Sequence, residues 1–234
     1  MDNLSQALNT AGRLIVTFDG DLAEIVLLSL RISLTAVGLA TLIGLPAGAA
    51  LAVLRFPGCR AVVVVLNSLM GLPPVVVGLV VFLALSRSGP LGVLGLLFTP
   101  TAMIIAQTLL TTPIVAALTR QIVEDLWIEY EEQLRSLGAS PGRSIWTLIW
   151  DGRFSLVTAV LAGFGRAASE VGAVMIVGGN IDHVTRVMTT AIALETSKGN
   201  LALALGLGIL LLSLSLIVNG AVYLAGDAAK RAQG

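Results

Sequence analysis

The amino-acid sequence predicts an all-α membrane protein with five transmembrane helices. The mean hydropathy is +0.94 over 234 residues, and only 12% of the residues are charged. A helix that crosses the hydrocarbon core of a bilayer needs about 20 mostly apolar residues, and five stretches of this chain meet that requirement. A short charged segment, "EEQLRSLGASPGRSIW", separates the third stretch from the fourth. Both the apolar stretches and this polar interruption therefore need a structural explanation.

The five predicted spans cover most of the chain. They lie at residues 22–54, 61–85, 99–120, 154–177 and 201–225. We find no internal repeat and no long polar linker, so we expect one transmembrane domain over residues 1–234. The largest predicted loop, residues 121–151, joins the third and fourth spans.

The distribution of Lys and Arg predicts the orientation, because loops on the cytoplasmic side carry an excess of these residues. One set of loops and tails holds Arg55, Arg60, Arg120, Arg135, Arg143, Arg153, Lys230 and Arg231. The opposite set holds only Arg13, Arg87, Arg186 and Lys198. We therefore expect the N-terminus outside, the C-terminus inside, and the 121–151 loop in the cytoplasm.

Composition argues against several classes of function. A net charge of zero argues against nucleic acid as a partner. The chain has one Cys and one His, so neither an internal disulfide nor a histidine-rich metal site is expected. "GASPGRS" lacks the spacing and the lysine of a phosphate-binding loop. We predict no catalytic residue, no metal site and no cofactor in this chain, which is then not an enzyme by itself.

The 121–151 loop has the sequence pattern of two helices joined by a sharp turn. Apolar residues recur there at helical spacing, and they are Ile122, Leu126, Tyr130, Leu134 and Leu137. Gly138 is typical of a helix that ends in the left-handed conformation. Ser140 followed by Pro141 predicts a side-chain cap and the first turn of the next helix.

The polar face of the first loop helix is acidic, since it carries Glu124, Asp125, Glu129, Glu131 and Glu132. Helices that lie on membranes usually have a basic polar face, and the anionic inner leaflet repels acidic ones. A basic protein partner fits this helix better than the lipid surface or its own bundle, although both alternatives remain open.

The predicted fourth span contains two charged residues near the bilayer midplane. Arg166 and Glu170 are four residues apart, which would place them on one face of a continuous helix. An unpaired charge at this depth costs at least about 2.5 to 3.5 kcal/mol, so we expect the two to compensate each other. A structural ion pair and a role in a conduction path are equally compatible with this pattern. Uncharged polar residues that could line such a path are Gln107, Thr108, Thr111, Thr112 and Ser169.

The charged segment resembles the cytoplasmic "EAA" loop of permease subunits of ABC importers. Aligning the glycine of that loop with Gly138 places its glutamate at Glu132. Gln133 and Leu134 replace two alanines, and Trp150-Asp151 replaces a terminal Leu-Pro. In that family the loop docks on the ATP-hydrolysing subunit. The resemblance implies this coupling role for Glu131, Glu132, Leu134, Arg135, Leu137, Gly138, Ala139, Ser140 and Pro141.

Two further stretches resemble the oxyanion permeases of the same family. "GLPPVVVGL" and "ASEVGAVMIVGGNI" followed by "TRVMTTAIALETSKGN" are similar to permeases for molybdate, sulfate and tungstate, and most similar to the tungstate branch. The resemblance implies a type I importer permease fold in the cytoplasmic (inner) membrane. It also implies a homodimer in contact with membrane lipid, two ATPase subunits that hold ATP and Mg, and an external binding protein that delivers the oxyanion.

Other readings of the sequence lead to different functions. A molybdate or sulfate permease would share most of these motifs. A stand-alone channel or an ion-driven transporter would explain the spans but would give the helix-turn-helix loop no function. An intramembrane enzyme is disfavoured, because no cluster of Cys, His or carboxylate residues accompanies His183.

Overall fold

The structure is a computed structural model that describes residues 20–231 and, before them, Ser5 and Gly12. Side chains are not described at residue 225 or at residues 227–231. The predicted external N-terminal tail with Arg13, and the side chains of Lys230 and Arg231, therefore lie outside the described residues. The described part of the chain is built from helices and contains no strand, which confirms the all-α fold class.

The helices are numbered here in chain order. They are α1 (Gly20–Val53), α2 (Cys59–Met70), α3 (Pro74–Leu85), α4 (Pro100–Ser136), α5 (Pro141–Asp151), α6 (Arg153–Ala168), α7 (Gly172–Gly178), α8 (Met188–Ser197) and α9 (Leu201–Arg231). A single 3₁₀ turn, Gly92–Leu94, lies between α3 and α4.

Three of the described helices are each long and apolar enough to cross a membrane, namely α1, α4 and α9. Two bent pairs, α2 with α3 and α5 with α6, bring the number to at most five if each pair is one span. The count agrees with the five predicted spans, but the pair α5 with α6 includes residues 141–151, which were predicted to lie in the cytoplasmic loop. The number and bounds of the spans stay a prediction.

Two of the predicted spans are not single helices, and for the fourth the expectation of one continuous helix was wrong. The second span breaks between Met70 and Pro74, because the nitrogens of Pro73 and Pro74 carry no hydrogen to donate to the preceding turn. The fourth span ends as a helix at Ala168 and resumes at Gly172. No proline marks this second break in the sequence.

The described chain divides into two compact units, and the described part of the first includes residues 20–36, Pro73–Gln107 and Ala167–Asn219. Its apolar core joins α1, α8 and α9 through Leu22, Val26, Met188, Ala191, Leu207 and Leu210. Between α7 and α8, His183 Nδ1 lies 2.9 Å from Glu24 Oε2. This hydrogen bond is the main reason that the pKa of His183 lies above its ordinary value.

The described part of the second unit comprises Val37–Leu72, Thr108–Arg166 and residues 220–231. Its core joins α1, α4 and α5 through Ala49, Val53, Val123, Trp127 and Leu148. Helices α1 and α4 approach each other closely at Gly48, where an added β-carbon would overlap the carbonyl oxygen of Ala116 and lie 2.9 Å from Thr119 Cβ. Small residues permit such close helix packing in lipid, so this contact requires glycine.

Candidate functional site

The predicted helix-turn-helix is confirmed, since α4 runs to Ser136 and α5 begins at Pro141. Gly138 has a φ of 67°, the left-handed conformation expected from the sequence. Its N–H donates to the carbonyl of Arg135 at 3.0 Å, and the N–H of Ala139 donates to Leu134 at 2.9 Å. These two bonds form a Schellman motif, which satisfies carbonyl groups that a helix end otherwise leaves unpaired. The turn is thus a defined structure, and we call α4 from residue 121, the turn and α5 the hairpin.

Ser140 occupies the position before α5 that the sequence predicted, but its side chain forms no capping hydrogen bond. The predicted side-chain cap is therefore wrong. The Ser140 carbonyl instead accepts the backbone N–H and the hydroxyl of Ser144, at 2.9 and 3.2 Å. Pro141 at the first helical position has no N–H to satisfy.

The two glutamates of the predicted coupling loop have different surroundings. Glu131 is half-buried, and its carboxylate lies 2.6 Å from Arg135 and 3.6 Å from Arg55. Glu132 is exposed. The charge of Glu131 is therefore largely compensated within the chain, whereas Glu132 presents its charge to the surroundings.

The apolar stripe of the hairpin packs inward for most of its length. Leu126, Tyr130 and Leu134 pack against the core of the second unit. Leu137, the last member of the predicted stripe, lies beyond the end of α4 and is 81% exposed. An exposed leucine thus lies directly before the left-handed glycine. A crevice of about 230 Å³ in the hairpin is lined by Tyr130, Gln133, Leu134, Thr147, Leu148 and Asp151.

Side chains from distant parts of the sequence hold the break between α6 and α7. Gln107 Nε2 donates to the carbonyl of Ala167 at 3.1 Å, and Thr189 Oγ1 donates to the carbonyl of Glu170 at 2.9 Å. The Glu170 carboxylate accepts the N–H of Ala173 at 3.0 Å. Non-helical backbone at membrane depth is tolerated only when its polar groups find such partners. These hydrogen bonds explain how α6 can end without a proline.

The break separates Arg166 and Glu170, which were predicted to pair on one face of a continuous helix. Helix α6 ends at Ala168, so Arg166 and Glu170 do not share a face of one continuous helix, and that expectation was wrong. Glu170 is only 4% exposed, whereas Arg166 is half-buried. The ion pair itself stays a prediction.

The other predicted pathway residues have diverse environments. Gln107 is buried, Thr108 and Thr112 are half-buried, and Ser169 is exposed. Thr112 Oγ1 donates to the carbonyl of Thr108 at 2.7 Å. Thr111 is fully buried, and its hydroxyl has no hydrogen-bond partner among the described residues. Of these positions, only Ser169 is exposed.

The structure adds polar residues that the sequence analysis missed. A cavity of about 10 Å³, roughly the size of one water, lies beside the break in the first unit. Its polar lining includes Ser29, Ser33 and Thr189 in addition to Gln107. The hydroxyl residues of "SLRISLT" and "VMTTA", which interrupt apolar sequence, were the available signal for these positions.

A larger cleft of about 910 Å³ lies in the second unit, between the end of α1, α2 and α4. Arg55, Arg60 and Arg120 line it, together with Glu124 and Glu131. Arg120 donates to Glu124 at 2.6 and 2.8 Å. Three guanidinium groups against two carboxylates leave the lining cationic. From the sequence alone, these arginines indicated only the orientation of the chain in the membrane.

Gln107→Met is expected to destabilise the chain by about 1 kcal/mol, the typical net value of one buried hydrogen bond. The variant keeps the side-chain volume but removes the donor to Ala167. Thermal unfolding of the purified chain in detergent measures this as a fall in Tm of about 2–4 °C.

Gln121→Met is the matched control, because Gln121 lies on the same helix and is exposed. It should change stability by no more than about 0.5 kcal/mol. Equal Tm values for the two variants would show that Gln107 does not hold the break.

Comparisons with known proteins place this arrangement in a family. The sequence pattern of the family described as "Binding-protein-dependent transport system inner membrane component" matches residues 41–229. The tungstate uptake system permease protein TupB of Peptoclostridium acidaminophilum is 42% identical over 95% of this chain and 98% of its own length.

More relatives belong to anion transporters. A probable anion ABC transporter permease protein of Haloferax volcanii is 43% identical over 85% of this chain and 88% of its own length. The sulfate transport system permease protein CysW of Synechococcus elongatus is 30% identical over 73% of this chain and 62% of its own length. The chain belongs to the family of inner membrane components of binding-protein-dependent transport systems, as a permease of the ABC type.

Proposed function

We propose that this chain is the permease subunit of an ABC importer that carries tungstate into the cytoplasm. Tungstate is proposed as the substrate because the chain is similar to a tungstate uptake permease over nearly the whole of both chains. Sulfate permeases are also relatives but share fewer identical residues and a smaller part of the chain. Tungstate therefore comes first and molybdate, a tetrahedral dianion of the same kind, second.

The proposed assembly contains two copies of this chain, which together form the pathway through the lipid bilayer. Two ATPase subunits bind on the cytoplasmic side and hold ATP and Mg, and an external protein delivers the oxyanion. The N-terminus lies outside and the C-terminus inside. The excess of Lys and Arg in the loops on the side of the hairpin supports this orientation.

The hairpin transmits the ATPase cycle to the membrane helices. Leu137 at its turn offers an exposed apolar group, and the exposed carboxylate of Glu132 offers a negative charge. A groove on the ATPase with an apolar floor and a basic rim complements both groups. The Schellman motif fixes the direction of α5 after α4, so a displacement of the turn is passed to both helices.

Weak, distributed contacts handle the anion in transit. A conducting site must release its ion as readily as it binds it. Hydroxyl and amide groups at Gln107, Thr108, Thr111, Thr112 and Ser169 supply neutral donors, and Arg166 supplies a positive charge moderated by the carboxylate of Glu170. The cationic lining of the 910 Å³ cleft favours an anion there through the arginine side chains, and we assign this cleft to the release side.

Transport into vesicles tests the function. Vesicles that contain this chain, its ATPase and its binding protein are expected to accumulate tungstate only when ATP is present. Molybdate should compete with tungstate more strongly than sulfate does. Vesicles without this chain, and vesicles with an ATPase variant that binds but does not hydrolyse ATP, are the controls.

Two outcomes would contradict the proposal in different ways. Accumulation without ATP would favour the channel or the ion-driven transporter. ATP-dependent accumulation of sulfate in preference to tungstate would keep the importer but assign it to another oxyanion.

A further inference from the structure

Helix α5 carries large apolar side chains on two opposite faces. Ser144 and Leu148 are almost completely buried and face the core of the second unit. Trp146 and Trp150 lie one turn apart on the other side and are 65% and 71% exposed. A helix that packs on a core with one face normally presents polar residues on the other. Two exposed tryptophans in register indicate a second apolar environment.

Arginines accompany the two tryptophans. Arg143 lies one turn before Trp146 and is exposed. The guanidinium group of Arg153 lies 4.9 Å from the ring centre of Trp150 and 4.5 Å from that of Phe154, and it donates to the Trp150 carbonyl at 2.7 Å. We call Arg143, Trp146, Trp150 and Arg153 the aromatic face.

The direction of α5 determines where this face can lie. Helices α5 and α6 form a pair that is apolar enough to span a membrane but is bent by 79° at Gly152. If α6 runs across the bilayer, a helix bent by this angle runs close to the membrane plane at the end of the span. The aromatic face then lies at the level of the lipid headgroups.

We propose that the aromatic face of α5 lies in the headgroup layer of the membrane and binds anionic phospholipid. Tryptophan is enriched at membrane interfaces, where its ring is apolar and its N–H is hydrated. Arginine forms charge-assisted hydrogen bonds with phosphate oxygens. The acidic face of α4 is repelled by anionic lipid, whereas the aromatic face carries Arg143 of α5 and Arg153 at the start of α6. The proposal goes beyond transport: it gives the hairpin a second contact, with lipid, besides the one with the ATPase.

Quenching of tryptophan fluorescence by brominated lipid tests this contact. The chain has three tryptophans, and Trp127 is only 8% exposed. The full chain is placed in vesicles of phosphatidylglycerol and phosphatidylcholine, with bromine on the phosphatidylcholine acyl chains near either the headgroup or the methyl end. The double variant Trp146→Phe, Trp150→Phe retains only Trp127, so its emission gives the background and reports whether the fold is kept.

We expect headgroup-proximal bromine to quench the unsubstituted chain more than bromine near the methyl end. The fraction of emission that is quenched should be at least about twofold smaller in the double variant than in the unsubstituted chain, because only interfacial rings reach shallow quenchers. Replacing phosphatidylglycerol by phosphatidylcholine, or Arg143 by Gln, should reduce the quenching of the unsubstituted chain.

Three results would overturn the proposal. Equal quenching of the unsubstituted chain and the double variant would place the face away from lipid. Loss of quenching on addition of the ATPase would assign the face to that subunit. If neither the removal of phosphatidylglycerol nor Arg143→Gln changes the quenching, the aromatic face does not bind anionic lipid.

Discussion

Gly138→Val is expected to abolish ATP-driven tungstate uptake while the membrane helices still form. Gly138 has a φ of 67°, and a side chain in this conformation costs about 1–2 kcal/mol. Nothing lies within 4 Å of a β-carbon added there, so the effect comes from the backbone and not from a clash. The strain disrupts the Schellman motif and turns Leu137 and α5 away from their positions. Uptake and co-purification of the ATPase measure the loss.

Two variants serve as controls for Gly138→Val. Asn adopts the left-handed conformation more easily than other side chains, so Gly138→Asn should keep most of the transport. Gly142 also has open space around it and has no positive φ, so Gly142→Ala should transport normally. Normal uptake by Gly138→Val would remove the hairpin from the coupling mechanism.

Gly48→Val is expected to be among the most destabilising single substitutions in the chain. A β-carbon there would overlap the carbonyl oxygen of Ala116, and backbone cannot move aside as a flexible side chain can. Overpacking of this kind costs about 1–3 kcal/mol or more. Thermal unfolding in detergent should show a Tm lowered by several degrees, about 2–4 °C for each kcal/mol.

Gly38 provides the matched control for this substitution on the same helix. Nothing lies within 4 Å of a β-carbon at Gly38, so Gly38→Val should leave the Tm within about 2 °C. The Tm of Gly48→Ala should lie between that of the unsubstituted chain and that of Gly48→Val, because alanine adds only the β-carbon. Equal stability of Gly38→Val and Gly48→Val would contradict the close approach of α1 and α4.

The hairpin could be predicted because its signals are local. Gly138 needs the left-handed conformation and Pro141 needs the first turn of a helix, and both requirements act within a few residues of the chain. The local pattern gave the wrong prediction at Ser140, whose side chain forms no capping hydrogen bond. The exposure of Leu137 likewise depends on where α4 ends, which a periodic pattern does not specify.

The break between α6 and α7 could not be predicted for the opposite reason. Its polar backbone groups are satisfied by Gln107 and Thr189, which are distant from it in sequence. In "GRAASEVGAV" the pattern alone favours a continuous helix with Arg166 and Glu170 on one face. Only the three-dimensional arrangement reveals that the Glu170 carboxylate caps a new helical segment.

The side of the membrane on which the hairpin turn lies, and its contact with the ATPase, decide whether the hairpin is the cytoplasmic coupling element. In a Cys59→Ser background, Leu137→Cys carries the single thiol of the chain, because Cys59 is the only native cysteine. Ile181→Cys, an exposed position between α7 and α8, is the control for the opposite side. A membrane-impermeant maleimide is expected to modify residue 137 in inside-out vesicles and not in intact cells, and the bound ATPase should block the reaction. Residue 181 should react from the other side whether or not the ATPase is bound. Modification of residue 137 in intact cells, or an equal rate with and without the ATPase, would contradict the assignment of the hairpin as the cytoplasmic coupling element.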